Sequence, residues 1–292
     1  MLVTIILALV VLVNGVFVFY LVRDLIAHKK ETRQEPGNPI VMAISTGVIF
    51  LFSTFGISDF AISTALYPKL GWVDEKRLPG TLNTQCVVPV AVMALAYISS
   101  IEVDLATLII AIAAQVVGAY ISPRFVVKLP VNAIKKFLAA GLFIAAGMIL
   151  AGKFGIYPSG GEATGLVGFK LLLLGLLSFV YGALNNIGIG SYALTMATVY
   201  ALGLNPGVSF PIMMGACTFS VPVGSIQFIK LQSYSRKVTL FAAIFGIIGV
   251  LVAVFVVKSM NTSALQWVVA AVIIYSAITM LISSLKKGKE AA

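Results

Sequence analysis

One acidic residue stands out against the apolar stretch that surrounds it. Residues 55–64 read FGISDFAIST, and Asp59 follows a glycine and a serine within that stretch. An ionisable side chain near the centre of a bilayer costs at least about 2.5–3.5 kcal/mol on insertion scales. In one interpretation, Asp59 lies in the first turn of a helix, where free backbone N–H groups stabilise its carboxylate. In the other, Asp59 is a proton-coupling carboxyl whose protonation and the binding of an anion favour each other.

A second stretch of the chain resembles the one that contains Asp59. The segments GISDFAISTALYPKLG (56–71) and GIGSYALTMATVYALG (188–203) align at an offset of 132 residues, which also pairs Pro79 with Pro211. A constant offset across glycines and a proline indicates an internal duplication. The identical pairs are Gly56/Gly188, Ile57/Ile189, Ala61/Ala193, Ala65/Ala197, Leu70/Leu202 and Gly71/Gly203.

Small polar residues and glycines mark the beginning of both short segments. We predict that a new helical piece begins at Gly56 and at Gly188, so that free N–H groups and a positive dipole end point toward each break. Two such helix ends facing each other across a pseudo-two-fold axis would form an anion site. The alternative is that the polar side chains cap helices and join one helix to another. The side chains concerned are Ser58, Asn185, Asn186, Ser191 and Tyr192.

Another polar cluster follows each short segment. These clusters are LPGTLNTQC (78–86) in the first half and PIMMGACTFS (211–220) in the second. Amide and hydroxyl groups on an apolar helix are costly unless they are paired or wetted. They either pair between packed helices or line a substrate cavity, and we favour the cavity. The predicted substrate-binding residues are Gly56, Ser58, Thr81, Asn83, Thr84, Gln85, Asn185, Asn186, Gly188, Ser191, Cys217 and Thr218.

The composition indicates a polytopic membrane protein. Of the 292 residues, 60% are hydrophobic and 10% are charged, with a mean hydropathy of +1.07, whereas soluble domains average about 25% charged residues. The net charge of +10 arises in short connections between apolar runs, which favours a topology signal over a nucleic-acid partner. The expected partners are a small anion and membrane lipids, and a homodimer is left open.

Enzymatic and cofactor chemistry lacks its usual residues in this sequence. The chain has one histidine, His28, in a polar loop, and both cysteines, Cys86 and Cys217, fall inside apolar segments. This pattern argues against a metal site or a disulfide framework. The membrane segments contain no paired carboxylates and the chain has no nucleotide-binding motif. We therefore expect no catalytic residues, no metal and no cofactor.

The apolar runs predict an all-α fold, with an N-terminal helix followed by two repeats. The two short runs hold about 16 residues, or about 24 Å of helix, which is less than the hydrocarbon core of about 30 Å. We therefore predict that each forms a broken or hairpin-like helix with the run before it. The long runs are 2–22, 39–55, 78–100, 104–122, 135–152, 168–187, 209–229, 237–258 and 264–285, and the short ones are 56–71 and 188–203.

The distribution of basic residues favours two inverted repeats. Lys and Arg concentrate on the cytoplasmic side of membrane proteins. If the N-terminus is outside and each short piece reverses direction, all of the 20 basic residues except Lys153, Lys170 and Lys258 are cytoplasmic. If each short piece only continues its neighbour, the basic residues are distributed far more evenly between the two sides of the membrane.

The predicted organisation follows from this topology. Residues 1–38 are the first transmembrane helix and a cytoplasmic loop, 39–152 the first repeat, 153–167 an extracytoplasmic linker, and 168–292 the second repeat with a cytoplasmic tail. The predicted location is the cytoplasmic membrane of a prokaryote, crossed several times.

The order of several motifs resembles a known family. LPGTLNTQ with its Gly80-Thr81 pair, IEVDLATL and SPRFVVKLP resemble the first half-repeat of the sulfite exporter TauE/SafE family of membrane permeases. GIGSYALTMATVYALGLNP is similar to that family's second repeat. The resemblance implies transport of a small sulfur-containing or organic anion, such as sulfite, a sulfonate, thiosulfate or sulfoacetate.

The leading functional hypothesis is a secondary transporter that works by alternating access about a site near the membrane midplane. Coupling to protons is an option that depends on Asp59. One alternative is an anion channel of the same architecture, which concentrative flux would distinguish from a transporter. A second alternative, from a different class, is a membrane assembly factor that transports nothing.

Overall fold

The structure is a computed structural model that describes residues 2–55, 57–98, 102–156, 161–256 and 278. The described part of the chain forms helices joined by short connections, which confirms the predicted all-α fold. A π-helical turn, Ala242–Gly246, joins the last two helices. The α-helices are α1 Leu2–Ala27, α2 Lys29–Gln34, α3 Pro39–Thr54, α4 Asp59–Leu66, α5 Leu78–Ile98, α6 Leu105–Ile121, α7 Pro123–Val126, α8 Val131–Lys153, α9 Gly168–Ile187, α10 Tyr192–Ala201, α11 Ser209–Lys230, α12 Arg236–Phe241 and α13 Ile247–Val256.

Several of these helices are long and apolar enough to cross a membrane. Within the described ranges there are six such spans, and α3 is a shorter apolar helix. This confirms a polytopic membrane protein. The predicted run at 264–285 lies outside the described residues except for residue 278. The spans are Thr4–Ala27, Leu78–Ile98, Leu105–Val126, Gly168–Ile187, Ser209–Lys230 and Arg236–Phe255.

The helices α3 and α4 form a hairpin that enters and leaves at one end of the molecule. The chain before α3 packs on the chain after α4: Gly37 lies so close to Trp72 that a Cβ atom added at Gly37 would be 3.0 Å from the Trp72 ring. Arg77, which follows the hairpin, pairs with Glu35 at 3.3 Å. We call this end, formed by residues 24–37, 67–77, 127–130 and 231–237, the basic end.

The helices α9 and α10 form a second hairpin, which enters from the opposite end. Lys170 near the start of α9 donates to the carbonyl oxygen of Leu202 after α10, at 3.0 Å. The connection between α5 and α6 lies at this end too, since the backbone N–H of Asp104 donates to the carbonyl of Thr164. Because α5 runs from Arg77 at the basic end to this connection, the two hairpins point in opposite directions. The prediction of inverted halves with hairpin-like helices is therefore confirmed.

The predicted starting points of the short helices are wrong. The helix α4 begins at Asp59 and α10 at Tyr192, not at the preceding glycines. Gly188 instead ends α9 with φ of +99°, a left-handed conformation that favours glycine at the end of a helix. Gly56 lies outside the described residues. Each break is therefore several residues long, which exposes more backbone than a single kink.

The two halves pack on each other reciprocally. The helix α6 packs along α9, α13 packs along α3, and the long helices α5 and α11 pack together. The backbones touch where glycines allow it. A Cβ atom added at Gly118 would lie 2.0 Å from the carbonyl oxygen of Phe179, and one added at Gly249 would lie 1.9 Å from the carbonyl oxygen of Gly47. Close backbone approach through small residues is a usual way for membrane helices to associate. A pseudo-two-fold axis requires this pattern, and the repeat bounds 39–152 and 168–292 remain predictions.

A buried ion pair fixes the start of α12 at the basic end. Nε of Arg236 lies 2.7 Å from Oδ2 of Asp24, and the two residues are 5% and 7% exposed. Tyr234 and Gln232 also donate to this carboxylate. Glu35 accepts from the backbone N–H of Arg236 at 3.2 Å. Asp24 near the end of α1 and Glu35 at the end of α2 therefore hold the connection between α11 and α12, and we call this contact the ionic clamp.

A different set of groups holds the start of α6 at the opposite end. Oδ2 of Asp104 accepts from the backbone N–H and from the hydroxyl of Thr107, both at 2.9 Å. These donors hold the pKa of Asp104 below its ordinary value. The hydroxyl of Thr107 in turn accepts from the backbone N–H of Leu166 at 2.9 Å. The segment before α9 thus holds α6, as the segment before α3 holds α12.

The glycine contact between α6 and α9 leads to a first prediction. We expect Gly118→Ala to destabilise the protein by about 1–3 kcal/mol, because the added methyl group meets backbone that cannot move aside. Thermal unfolding of the purified protein in detergent measures the effect. Gly147→Ala is the matched control, since nothing lies within 4 Å of a Cβ atom there. Equal unfolding temperatures for the two variants would contradict this account of the packing.

The ionic clamp leads to a second prediction. We expect Asp24→Asn to cost about 3–5 kcal/mol, because it removes the buried charge partner of Arg236 and leaves its guanidinium only the exposed carboxylate of Glu31, at 3.6 Å. The control is Asp74→Asn, which removes a pair with Arg77 in which the aspartate side chain is 54% exposed, so a loss of only about 0–1 kcal/mol is expected. The comparison uses the same thermal unfolding measurement. A drop of similar size in both variants would show that burial does not set the strength of the clamp.

Candidate functional site

A small buried cavity lies where the two helix breaks meet. The breaks touch each other, since a Cβ atom at Gly190 would lie 2.4 Å from Oγ of Ser58. The cavity volume is about 10 Å³, which is room for about one water molecule. The conformation is therefore closed around the site. The lining residues are Ser58, Asp59, Phe60, Cys86, Val90, Asn185, Gly190, Ser191, Tyr192, Cys217 and Val221.

Asp59 is the acidic group of this cavity. It is 1% exposed and is the first residue of α4. Its Oδ1 accepts from the hydroxyl of Ser53 at 3.1 Å, and the backbone N–H groups of Asp59 and Phe60 lie beside the carboxyl. Its Oδ2 has no hydrogen-bond partner among the described residues. The residue thus lies at a helix start, as the first interpretation requires, and keeps one oxygen unpaired in the cavity, as the second requires.

The second half repeats this arrangement without the charge. The offset of 132 relates Ser53 to Asn185 and Asp59 to Ser191. Nδ2 of Asn185 donates to Oγ of Ser191 at 3.3 Å, and Oδ1 of Asn185 accepts from the backbone N–H of Ser191 at 2.9 Å. In each half, a residue near the end of the first helix therefore holds the start of the short helix. Ser53 was not among the predicted residues, although the repeat offset applied to Asn185 leads to it.

Two free thiols line the cavity from the central helices. Cys86 lies on α5 and Cys217 on α11, and they are the two cysteines of the chain. Sγ of Cys217 lies 3.3 Å from Oγ of Ser191 and accepts from Nε2 of Gln115 at 3.5 Å. The sequence pointed to Cys217 as a site residue but not to Cys86 or Gln115.

Two predicted residues stand behind the cavity wall and position it. Nδ2 of Asn83 donates to the carbonyl oxygen of Asn185 at 2.9 Å, near the end of α9. Nε2 of Gln85 donates to Oγ of Ser63 at 2.8 Å, and its Oε1 accepts from the hydroxyl of Tyr67. Gln85 thus ties α4 to α5.

Thr81 and Thr84 lie away from the cavity. Oγ1 of Thr81 accepts from the backbone N–H of Ser235 at 2.9 Å, and Oγ1 of Thr84 lies 2.6 Å from Oγ1 of Thr239. A Cβ atom at Gly80 would lie 1.9 Å from the carbonyl oxygen of Ser233. The Gly80-Thr81 pair therefore docks the start of α12 on α5. Thr81 and Thr84 form hydrogen bonds between packed helices, which is the alternative to lining a substrate cavity.

Thr218, Asn186 and Gly188 also lie outside the set of lining residues. Oγ1 of Thr218 accepts from Nδ2 of Asn14 on α1 at 3.0 Å. Nδ2 of Asn186 donates to the carbonyl oxygen of Ala119 on α6 at 2.7 Å. Gly188 serves as the end of α9. Of the predicted set, the cavity therefore brings together Ser58, Asn185, Ser191 and Cys217, with Asp59.

The electrostatics of the cavity come from helix ends and one carboxyl. None of the described lining residues is basic. The helices α4 and α10 both begin at the cavity, and each helix start carries roughly half a positive charge. Within the described residues, no group of three His, Cys, Asp or Glu could hold a metal ion. N–H, hydroxyl and amide groups at helix starts are the kinds of donor that bind anions in other proteins.

The two thiols provide a direct test of the cavity. We expect N-ethylmaleimide to label Cys86 and Cys217 slowly, because a cavity of about 10 Å³ has no room for the reagent until the helices separate. Intact-mass spectrometry follows the labelling over time. The control is Leu231→Cys in a variant with Cys86→Ser and Cys217→Ser, since Leu231 is 46% exposed. If the native thiols reacted as fast as the control thiol, the cavity would not be closed in solution.

A comparison with known protein families identifies the family of this chain. The family model described as Sulfite exporter TauE/SafE matches residues 1–149, which hold α1 and the first hairpin. A search of curated proteins and a search of solved structures found no match. The matched range is 149 of the 292 residues, half of the chain. The chain belongs to the TauE/SafE family of membrane transporters.

Proposed function

We propose that this protein is a secondary transporter for a small sulfur-containing or organic anion, such as sulfite, a sulfonate, thiosulfate or sulfoacetate. It works by alternating access across the cytoplasmic membrane of a prokaryote, with the N-terminus outside and the C-terminus in the cytoplasm. The observation that carries the proposal is the cavity in which two oppositely directed helix breaks meet. Inverted repeats with broken helices at the midplane are typical of secondary transporters.

The anion binds between the beginnings of α4 and α10. Backbone N–H groups in the first turn of a helix have no carbonyl partner within the helix. Those of Asp59 and Phe60 contact the carboxyl of Asp59 in the closed structure, and they become available to an anion when that carboxyl is protonated. Ser58, Ser191 and Asn185 supply hydroxyl and amide donors beside them. Phe60, Val90 and Val221 exclude water on the remaining sides, which strengthens each hydrogen bond to the anion.

Binding requires the hairpins to move apart. A cavity for about one water molecule is too small for a sulfur oxyanion, so the closed arrangement is one state of a cycle and the loaded site is wider. The hairpins enter from opposite ends, so separation of the halves at one end opens the breaks toward that side of the membrane. Such motions would strain the ionic clamp at the basic end and the Asp104 contact at the other end.

Asp59 couples this cycle to protons. In the protonated form, its carboxyl donates to the bound anion, and in the ionised form it repels an anion. Protonation and anion binding then favour each other, because protonation removes the negative charge that repels the anion, and a bound anion disfavours the ionised form of the carboxyl. The equivalent position in the second half is Ser191, which cannot ionise, so the coupling is carried by one half alone.

Flux measurements with Asp59→Asn test the proposal. In liposomes with an inward proton gradient, we expect the wild-type protein to accumulate at least one of labelled sulfite, thiosulfate and sulfoacetate. The Asn variant should lose accumulation but still exchange substrate across the membrane, because the amide keeps the size of the site. The control is Asp74→Asn, which changes a carboxylate whose side chain is 54% exposed in its pair with Arg77, and this variant should accumulate the same anion.

The outcomes separate the alternatives. Flux of the wild-type protein that never exceeds equilibrium would favour a channel, and no flux of any tested anion would contradict the transport proposal. Equal accumulation by wild type and Asp59→Asn would place the coupling group elsewhere and leave Asp59 as a helix-start residue.

A further inference from the structure

We infer that the site takes one monovalent anion together with one proton, and that the ionised carboxylate of Asp59 occupies the anion's place when no substrate is bound. The transport cycle is then electrically neutral. This inference rests on the proposed transport function and specifies the charge of its substrate.

The first argument is the charge balance of the cavity. The described lining residues contribute no lysine, arginine or histidine, so the positive charge comes from the beginnings of α4 and α10. Each contributes roughly +0.5, and the two together contribute roughly one positive charge. The ionised form of Asp59 balances that charge. When Asp59 is protonated, the site has room for one negative charge and no more.

The second argument is the position of the carboxyl. It lies on the first turn of its own helix, beside the backbone N–H groups of Asp59 and Phe60, which is where a bound anion would lie. Its Oδ2 is buried in the cavity without a hydrogen-bond partner in the described part of the chain. An unpaired buried oxygen is costly, and a proton shared with a substrate oxygen would satisfy it. The carboxylate of Asp59 thus competes with the substrate anion for the same N–H groups, and protonation ends that competition.

The third argument is the lack of another group nearby that changes charge at neutral pH. Among the described side chains, the titratable groups near Asp59 are the phenols of Tyr67, which follows α4, and of Tyr192 on α10, and the thiols of Cys86 on α5 and Cys217 on α11. Phenols and thiols have ordinary pKa values of about 10 and about 8.5, so they are neutral at pH 7. The neighbouring helix α3 contributes the uncharged Ser53. On α8, the side chain of Lys136 is exposed.

The balance also sets which anions fit. A dianion would leave one negative charge buried without compensation, even with Asp59 protonated. We therefore expect bisulfite and small sulfonates to be accepted. Thiosulfate and sulfoacetate, which carry two negative charges at neutral pH, should compete at least about tenfold less well, a difference of about 1.4 kcal/mol.

Transport of methanesulfonate tests the inference, because this anion carries one charge at every accessible pH. Wild-type protein in liposomes receives labelled methanesulfonate under an inward proton gradient, and valinomycin with potassium gradients sets a membrane potential of either sign. We expect uptake to respond to the proton gradient and not to the potential. In Asp59→Asn, the dependence should be reversed: an inside-positive potential should drive uptake, and the proton gradient should not.

A second variant keeps the test independent of the fold of Asp59→Asn. The double variant Asp59→Ser with Ser191→Asp moves the carboxyl to the related position, where Asn185 replaces Ser53 as its donor. Because the cavity is shared, we expect the double variant to recover uptake that depends on the proton gradient and ignores the potential. Asp74→Asn, at an exposed carboxylate, should behave as wild type.

The failure of this inference can be distinguished from the failure of the proposed function. Methanesulfonate uptake by wild type that follows the membrane potential, or thiosulfate that competes as well as methanesulfonate, would overturn the inference and leave a transporter. The absence of exchange of methanesulfonate, sulfite, thiosulfate and sulfoacetate would overturn the proposed function, and this inference with it.

Discussion

Backbone N–H and C=O groups must find partners within the protein wherever the chain lies in lipid, and the breaks before α4 and before α10 are two places where the described chain leaves the helical conformation. Everything near the breaks serves to bury or satisfy them. Asn185 accepts from the backbone N–H of Ser191 in the second break, and Ser58 caps α4 in the first. Asn83 supplies a donor to the carbonyl oxygen of Asn185.

The packing of the halves follows from the same need. Two breaks can shield each other only if the halves approach closely, and the glycines at the α6–α9 and α3–α13 contacts allow backbone to meet backbone. The joints at the two ends are chemically different. The basic end is held by the buried pair of Asp24 and Arg236, and the opposite end by Asp104 and Thr107. The helices of the two halves therefore pack in a related way, but different contacts hold the two ends of the molecule.

Symmetry is also broken at the centre of the cavity. The pairs Ser53–Asp59 and Asn185–Ser191 occupy related positions with related hydrogen bonds, but only the first carries a charge. A carboxyl in both halves would place two negative charges between two helix starts that together carry roughly one positive charge. One carboxyl matches the helix starts in charge, which is the basis of the proposed exchange between this carboxylate and a substrate anion.

The sequence by itself determined the membrane class, the two halves, the hairpin-like helices and the inversion, because these follow from hydropathy, run length, a constant offset and the distribution of basic residues. It also identified Asp59 and Ser191 as a related pair. It did not determine which polar side chains face the cavity. On α5, Cys86 and Val90 share one face by their spacing of four residues, and Thr81 and Thr84 share another, but the rotation of the helix against its neighbours decides which face meets the breaks. Packing turned the threonines toward α12 and the thiol toward Asp59, so the site was set by contacts between helices that are distant in sequence.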